Sequence, residues 1–431
     1  MAIVSLHPVS LYSLWKASER PAPKLVSNTP CFLTTTQSRT SPFHRQSLPS
    51  TSSSPLGNSR PNKSSKCRKT TISMTLQMEE TDTADDHSAA LETPTVVEFT
   101  IPPKSLVGFE ADYERVSKTW PADLATTTDH AKIEQFVTST HHLARRWLPQ
   151  ELVSRLENFV FDPTERPAMV IRGLPIDKEL PPTEKDAHVK KEGKCVSETW
   201  LMGISRIVGQ VFIFGFPGST RPGMGMLVRD IYSTPEQVDD VSAEGSKELL
   251  DFHVDYAQLC AAKFPNVLVF MGVRGDRNKE GKTLLCNHRK LYQMLDPKDI
   301  EVLRTETLTW DVGMAHFSNH VIKGSETNPQ INLFEENISA AGGFDKAVKG
   351  SPEARAAYRR VKEIAATLAE GVWLDSGDVL LLNQKKVSHG RSPYHAKYDG
   401  NDRWLQRTLV NNGAIWETGV AEWPCRTVQY F

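Results

Sequence analysis

From residue 212 to about 410 the chain reads as a succession of short apolar runs divided by turn-forming residues. No other feature narrows the available folds as much. The runs at 226–231, 267–272, 283–286, 330–334, 379–382 and 404–410 are long enough for strands and too short for ordinary helices. Many short strands within one region point to a sandwich or barrel of jelly-roll type. Helical spacing interrupts them at 289–295 and at 352–370, where Ala356, Val361, Ile364 and Leu368 share a face. Upstream, the segments 129–148, 149–160 and 197–211 carry helical periodicity, with Ile133, Phe136 and Val137 on one stripe and Leu152, Leu156 and Val160 on another. VVEFTIP (96–102) predicts an edge strand, and PAMVIRGLP (167–175) a strand bounded by prolines. The expected fold is mainly β with flanking helices, a double-stranded β-helix (jelly-roll, cupin-like) core over about 212–410 inside a folded domain spanning 95–431. There is no internal repeat.

The N-terminal part differs in kind. Between Met1 and Gln77 the only acidic residue is Glu19, while Ser, Thr, Pro, Lys and Arg abound. Such a stretch buries too little apolar surface to offset its ordering entropy. Its acid-poor, hydroxyl-rich, basic character predicts a disordered plastid transit peptide over 1–75 and a mature protein in the chloroplast stroma. No 7–15-residue apolar core follows the start, which disfavours a secretory signal. EETDTADDHSAALE then reverses the charge, so 76–94 reads as an acidic flexible linker. A formal net charge of −1 over 431 residues offers no basic field for nucleic acid or an anionic membrane, and no apolar run reaches the roughly 18 residues needed to span a bilayer. The 6 cysteines include no CxxC pair and read as reduced thiols. Oligomeric state is not legible.

The chemistry concentrates in LDFHVDYAQL and NQKKVSHGRSPYHAKYDGNDRWLQRTLV. His253 and Asp255 are spaced so that on a strand both would point to one face. His389 follows the Gly377-Asp378 turn and the run 379–382, and the turn residues 398–402 would form a hairpin returning Arg403 beside His389. Two histidines and one carboxylate make the facial triad that binds Fe(II) and leaves positions open for a cosubstrate and O2. An arginine downstream can clamp a carboxylate bidentately. A zinc hydrolase also uses such ligands, but has no need of Arg403. His288, His316 and His320 pair with no carboxylate at strand spacing and read as structural or surface residues. Trp310 and Trp373 read as core. The glycine-rich 215–225 lacks the phosphate-loop pattern and reads as a mobile active-site loop.

Five stretches, GMLVRDIYSTPEQ, LDFHVDYAQL, GKTLLCNHRKLY, GDVLLLNQKKVSHGRSPY and YDGNDRWLQR, together resemble the TauD and clavaminate synthase-like branch of 2-oxoglutarate/Fe(II) oxygenases. Within it they are most similar to the hydroxylases of free asparagine or arginine. The resemblance implies that His253, Asp255 and His389 hold the iron. It implies that Arg403 holds the far carboxylate of 2-oxoglutarate, that Thr283 donates a hydroxyl hydrogen bond to the same cosubstrate, and that Arg407 lies near the substrate carboxylate or the cosubstrate. Glu335 and Glu336 fall where relatives read the substrate's amino group or side chain. The implied reaction consumes 2-oxoglutarate and O2, releases succinate and CO2, and hydroxylates an unactivated C–H bond of a free amino acid or small amino-acid-derived metabolite. Desaturation and ring formation stay open. Asp255 argues against halogenation, whose enzymes lack the carboxylate. This chain has HxD where the similar amino-acid hydroxylases usually have HxE. That leaves open another small carboxylate, betaine or specialised metabolite as substrate. A jelly-roll binding protein with a vestigial metal site is the alternative from another class.

Overall fold

The structure, a computed structural model, describes residues 93–120, 129–183, 191, 195–215, 227–235, 248–312, 315–334, 344–413, 421–422 and 426–429. The expected leader, residues 76–92 of the expected linker, the glycine-rich loop beyond Gly215, and Glu335 and Glu336 lie outside them.

Strand β1 (Val96–Thr100) leads to helices α1 (Phe109–Ser117), α2 (His130–Trp147) and α3 (Gln150–Asn158). Asp129 caps α2 by accepting the N–H groups of Ala131 and Lys132, and Pro149 stands at the N-cap of α3. After β2 (Ala168–Arg172) comes α4 (Val196–Val208), and then β3 (Gln210–Gly215), β4 (Arg229–Tyr232), β5 (Leu250–His253), β6 (Val267–Arg274) and β7 (Thr283–Asn287). Helices α5 (His288–Gln293) and α6 (Pro297–Thr305) precede the hairpin β8 (Leu308–Val312) and β9 (Ala315–Asn319) and the small pair β10 (Ile322–Gly324) and β11 (Pro329–Ile331). Strand β12 (Val348–Lys349) and helix α7 (Pro352–Thr367) follow, then β13 (Glu370–Val372), β14 (Val379–Asn383), β15 (Val387–Arg391) and β16 (Trp404–Asn411). Two short strands, β17 (Ala421–Glu422) and β18 (Thr427–Gln429), close the chain's described part.

Two sheets dominate. The larger runs β1-β2-β14-β6-β16-β3-β18-β17 with β4 also on β16, and the smaller runs β13-β7-β15-β5. Apart from β1 with β2 and β3 with β18, the pairings in both are antiparallel. The sheets meet face to face as a jelly roll. Ala168 and Val170 of β2, Leu268 and Phe270 of β6, Leu380 and Leu382 of β14 and Leu405 and Leu409 of β16 share one core with Leu285, Val372 and Val387 of the smaller sheet.

The alternate residues of the large sheet face the other way. Met169, Ile171, Val267, Val269, Met271, Val379 and Leu381 pack on α1 to α4. This two-sided burial explains why β14 is apolar from Val379 to Leu382: strands covered on both faces cannot alternate with polar residues. The outer face of the small sheet, including Phe252 and Cys286, packs under α5, α6 and α7. Gly377 turns the chain into β14 at φ +84°, and a Cβ there would lie 2.0 Å from the Leu174 carbonyl oxygen, so only glycine fits.

The expected jelly roll with flanking helices is therefore what the chain forms, and β1 is an edge strand as its alternation predicts. Three expectations need correction. A third helix, α6, interrupts the β region; its signal was present in Asp296, which caps it, and Pro297 in its first turn. The charge of the 179–192 segment predicts a surface loop, but Lys191 is buried between Asp177 and Glu198 at 2.8 and 2.7 Å. Trp310 is fully buried, but Trp373 is half-buried with the Lys279 ammonium 4.6 Å from its ring centroid. Among the described residues no helix is long and apolar enough to cross a membrane.

Candidate metal centre

The site forms between the two sheets. His253 ends β5, directly opposite His389 in the middle of β15, and their rings stand 4.3 Å apart. Phe252 faces outward into the helical core, so the strand's alternation turns His253 inward. Asp255 is not on the strand. β5 stops at His253, and Asp255 lies in the turn that follows, with Tyr256 at φ +59°. The expected same-face geometry of a continuous strand is thus replaced by a turn. That turn sets Asp255 Oδ1 3.2 Å from His253 Nε2. The potential ligand atoms of His253, Asp255 and His389 all lie within 4.8 Å of one another, the one such group among the described residues.

The surroundings of each donor suit a metal ligand. His253 Nδ1–H donates to the Asp251 carbonyl at 2.8 Å, which turns Nε2 toward Asp255 Oδ1. Burial, with the neighbouring His253, pushes the His389 imidazolium down to about 3, so the ring is neutral at physiological pH. Its Nδ1 is buried with no hydrogen-bond partner among the described residues. Burial would raise the Asp255 carboxyl, but the Arg407 guanidinium and the two imidazoles override it and hold the group well below the usual carboxylate range. Arg407 lies on the inner face of β16 and donates to Asp255 Oδ2 at 2.7 Å. Oδ1 is left turned toward the histidines. Two nitrogens and one oxygen gathered between the sheets suit non-haem Fe(II).

Two further buried guanidinium groups gather around Tyr394. Arg403, just before β16, is 7% exposed, and among the described residues its guanidinium has no hydrogen bond or ion pair. Burial, only partly offset by charged neighbours, lowers it to about 10. The carboxylate it senses, Asp276, is already engaged by the N–H groups of Asn278, Glu280 and Gly281. The Tyr394 ring lies beneath two guanidinium groups, 5.3 Å from Arg391 and 6.0 Å from Arg403, and its hydroxyl bonds to Ser233. Gly281 makes room here: a Cβ at that position would lie 3.1 Å from Arg403 Cδ and 3.3 Å from Tyr394 Cγ. Thr283, first in β7 and on the same face as inward Leu285, is buried with no hydrogen bond from its hydroxyl among the described residues.

The turn residues 398–402 predict a hairpin that returns Arg403 beside His389. Instead β15 pairs with β5 and β7, whereas β16 pairs with β3, β4 and β6. The two strands lie in opposite sheets, so Arg403, just before β16, hangs from the sheet that faces His389. Arg407, expected near a ligand carboxylate, holds that of Asp255. His288 is buried and bonded to Ser388, and His316 is exposed. Tyr394, Ser233 and Gln384 were missed as individual site residues. Tyr394 carries a local hint, a tyrosine bracketed by arginines at 391 and 403.

Comparison with known proteins follows the same lines. No protein-family model matches the chain. Clavaminate synthase 2 of Streptomyces clavuligerus is 27% identical over 306 residues, 70% of this chain and 90% of that protein. L-lysine 3-hydroxylase of Catenulispora acidiphila is 26% identical over 67% of this chain and 79% of its own length. L-asparagine oxygenase of Streptomyces coelicolor is 25% identical over 64% and 80%. Among solved structures, asparagine oxygenase with Fe(II), 3-hydroxyasparagine and succinate superposes with a TM-score of 0.62 at 19% identity, covering 78% of this chain and 99% of that one. The non-haem iron oxygenase OrfP with Fe and alpha-ketoglutaric acid gives 0.62 at 21%, covering 78% and 99%. These bear out the resemblance to clavaminate synthase-like oxygenases and their fold.

Proposed function

We propose that this chain is a non-haem Fe(II), 2-oxoglutarate-dependent oxygenase that hydroxylates an unactivated C–H bond of a free amino acid or a small amino-acid-derived metabolite. The observation that carries this reading is the pairing of a two-histidine, one-carboxylate centre with a buried guanidinium that has no anionic partner among the described residues. Unpaired buried charge is costly and is kept where a ligand neutralises it. Arg403 and Arg407 together outweigh Asp255, and a divalent cation would add to the excess. A dianion such as 2-oxoglutarate brings the cavity close to neutrality.

His253, Asp255 and His389 would hold the iron. Bound there, it would activate O2, the oxidant that puts one oxygen atom into 2-oxoglutarate, giving succinate and CO2, and the other into the substrate C–H bond. The protein's own part is positional. Arg407 occupies Asp255 Oδ2 and so favours coordination through Oδ1 alone, which keeps more positions open for ligands. Arg403 would take the distal carboxylate as a planar fork, and the Thr283 hydroxyl would donate to the same cosubstrate. Phe270, Leu285 and Leu405 wall the inter-sheet space and exclude water, which strengthens every charge interaction within it.

The substrate class rests on the relatives, an L-lysine 3-hydroxylase and an L-asparagine oxygenase, both named for free amino acids. Glu335 and Glu336 are the candidate readers of a substrate ammonium. The test is succinate formation by protein lacking the first 75 residues, given Fe(II), 2-oxoglutarate, O2 and ascorbate, with and without a pool of L-amino acids. Stimulation by the pool supports the reading. Slow succinate unaffected by the pool removes amino acids as substrates, and no succinate with metal bound removes the oxygenase. The acid-poor, Ser/Thr-rich 1–75 supports delivery to the chloroplast stroma; a fluorescent fusion of that segment that stays in the cytosol would sink this part.

A further inference from the structure

We propose that Gln384 is a positioning residue that aims the Asp255 carboxylate at the metal, an inference that rests on the metal-centre reading above. Because β5 ends at His253, the backbone of Asp255 has left the sheet ladder. Its N–H and C=O would be costly if buried without partners. Gln384 supplies both. It is fully buried, 129 residues away in sequence, and its Oε1 accepts the Asp255 N–H at 2.7 Å. Its Nε2 donates to the Asp255 carbonyl at 3.3 Å and to the Pro265 carbonyl at 2.8 Å. A side-chain amide thus stands in for a neighbouring strand at the one residue where the strand is broken.

The clamp is itself rigidly mounted. The Gln384 N–H donates to the Asn266 carbonyl at 3.0 Å, and the Lys386 N–H closes the turn onto the Asn383 carbonyl at 2.8 Å. That turn joins β14 to β15, so it fixes the approach of His389 five residues on. One turn therefore sets two of the three ligands. The clamp also restrains an unfavourable backbone. Tyr256, next to Asp255, has φ +59°, a conformation that bulky residues adopt only when held. Its ring is braced 4.5 Å from Phe214. Freed from Gln384, this turn could relax toward a commoner conformation and carry Oδ1 away from His253 Nε2. Arg407 holds the far oxygen of the carboxylate; Gln384 holds its backbone.

The test titrates Mn(II) into wild type, Gln384→Met, Gln384→Asn and His389→Ala, and records urea unfolding of each without metal. Methionine keeps length and burial but removes all three hydrogen bonds; asparagine keeps the amide and is one methylene too short. Gln384→Met is expected to weaken Mn(II) binding by about 10- to 100-fold, the range seen when the residues behind metal ligands are lost, with Gln384→Asn in between. If Gln384→Met does not fold, the comparison is read on Gln384→Asn. A folded variant that is less stable yet binds Mn(II) as wild type does would overturn the positioning role. Wild type that binds Mn(II) no better than His389→Ala would overturn the metal centre itself, a distinguishable failure.

Discussion

Replacing Arg403 by methionine should move ligand affinity and stability in opposite directions. In the ligand-free protein this guanidinium is 7% exposed and depressed from 12.5 to about 10, chiefly by burial. At ~1.4 kcal/mol per pKa unit, holding it charged costs the folded state about 3 kcal/mol. Methionine keeps a flexible apolar stem beside Gly281 and Tyr394 and removes the charge, forfeiting about 1 kcal/mol of stacking on Tyr394. The variant should therefore be roughly 1–2 kcal/mol more stable in urea than wild type without ligands. Binding of 2-oxoglutarate should suffer the reverse. Its buried carboxylate loses its cationic partner at a cost of about 3–5 kcal/mol, or roughly 150- to 5,000-fold in Kd. Anaerobic calorimetry with Mn(II) in place of Fe(II) reads the affinity, and urea midpoints read the stability. A variant that loses stability while its 2-oxoglutarate Kd stays within about threefold of wild type would show that Arg403 is a structural cation and refute the argument.

Three other expectations follow from the geometry. Asp255→Ala and His389→Ala should both abolish turnover and Mn(II) binding while unfolding cooperatively; only Asp255→Ala, which strips Arg407 of its carboxylate, should lose about 3 kcal/mol in urea, and equal stability of the two would count against that pair. Gly281→Val would press on Arg403 Cδ and Tyr394 Cγ and should raise the 2-oxoglutarate KM about tenfold with little change in kcat; an unchanged KM would separate this loop from the cosubstrate. His288, lowered from 6.5 to about 4 by burial, is neutral when folded and protonates first when unfolded. Its contribution is whole above pH 6.5 and is lost as pH falls toward 4, about 3 kcal/mol in all. The metal-free wild type should thus lose stability more steeply over that window than His288→Gln, and parallel curves would contradict the assignment.

Much of this was legible in the chain. The uninterrupted apolar run of β14 and the short runs around it announced a two-sided sheet, and period 2 makes that a local property. HxD, His389 and Arg403 declared the chemistry through residue type and order, because a metal centre needs its donors whatever fold supplies them. Asp296-Pro297 announced α6 to any reader weighing caps above periodicity. What stayed hidden depends on pairings distant in sequence. Alternation tells which face a residue takes but not which sheet its strand joins, so β15 and β16 read as one hairpin although they stand on opposite walls. Spacing put Asp255 on a strand; only the end of β5 at His253, and the distant Gln384 that satisfies the broken ladder, reveal a turn. Lys191 looks like a surface charge until Asp177 and Glu198 enclose it. The sequence by itself determined the donors and the sheet-forming segments, which are properties of residue type and local period. The tertiary structure alone decided which wall each donor hangs from and what holds it, since hydrogen bonds and charge pairs between distant residues leave no periodic trace in the chain.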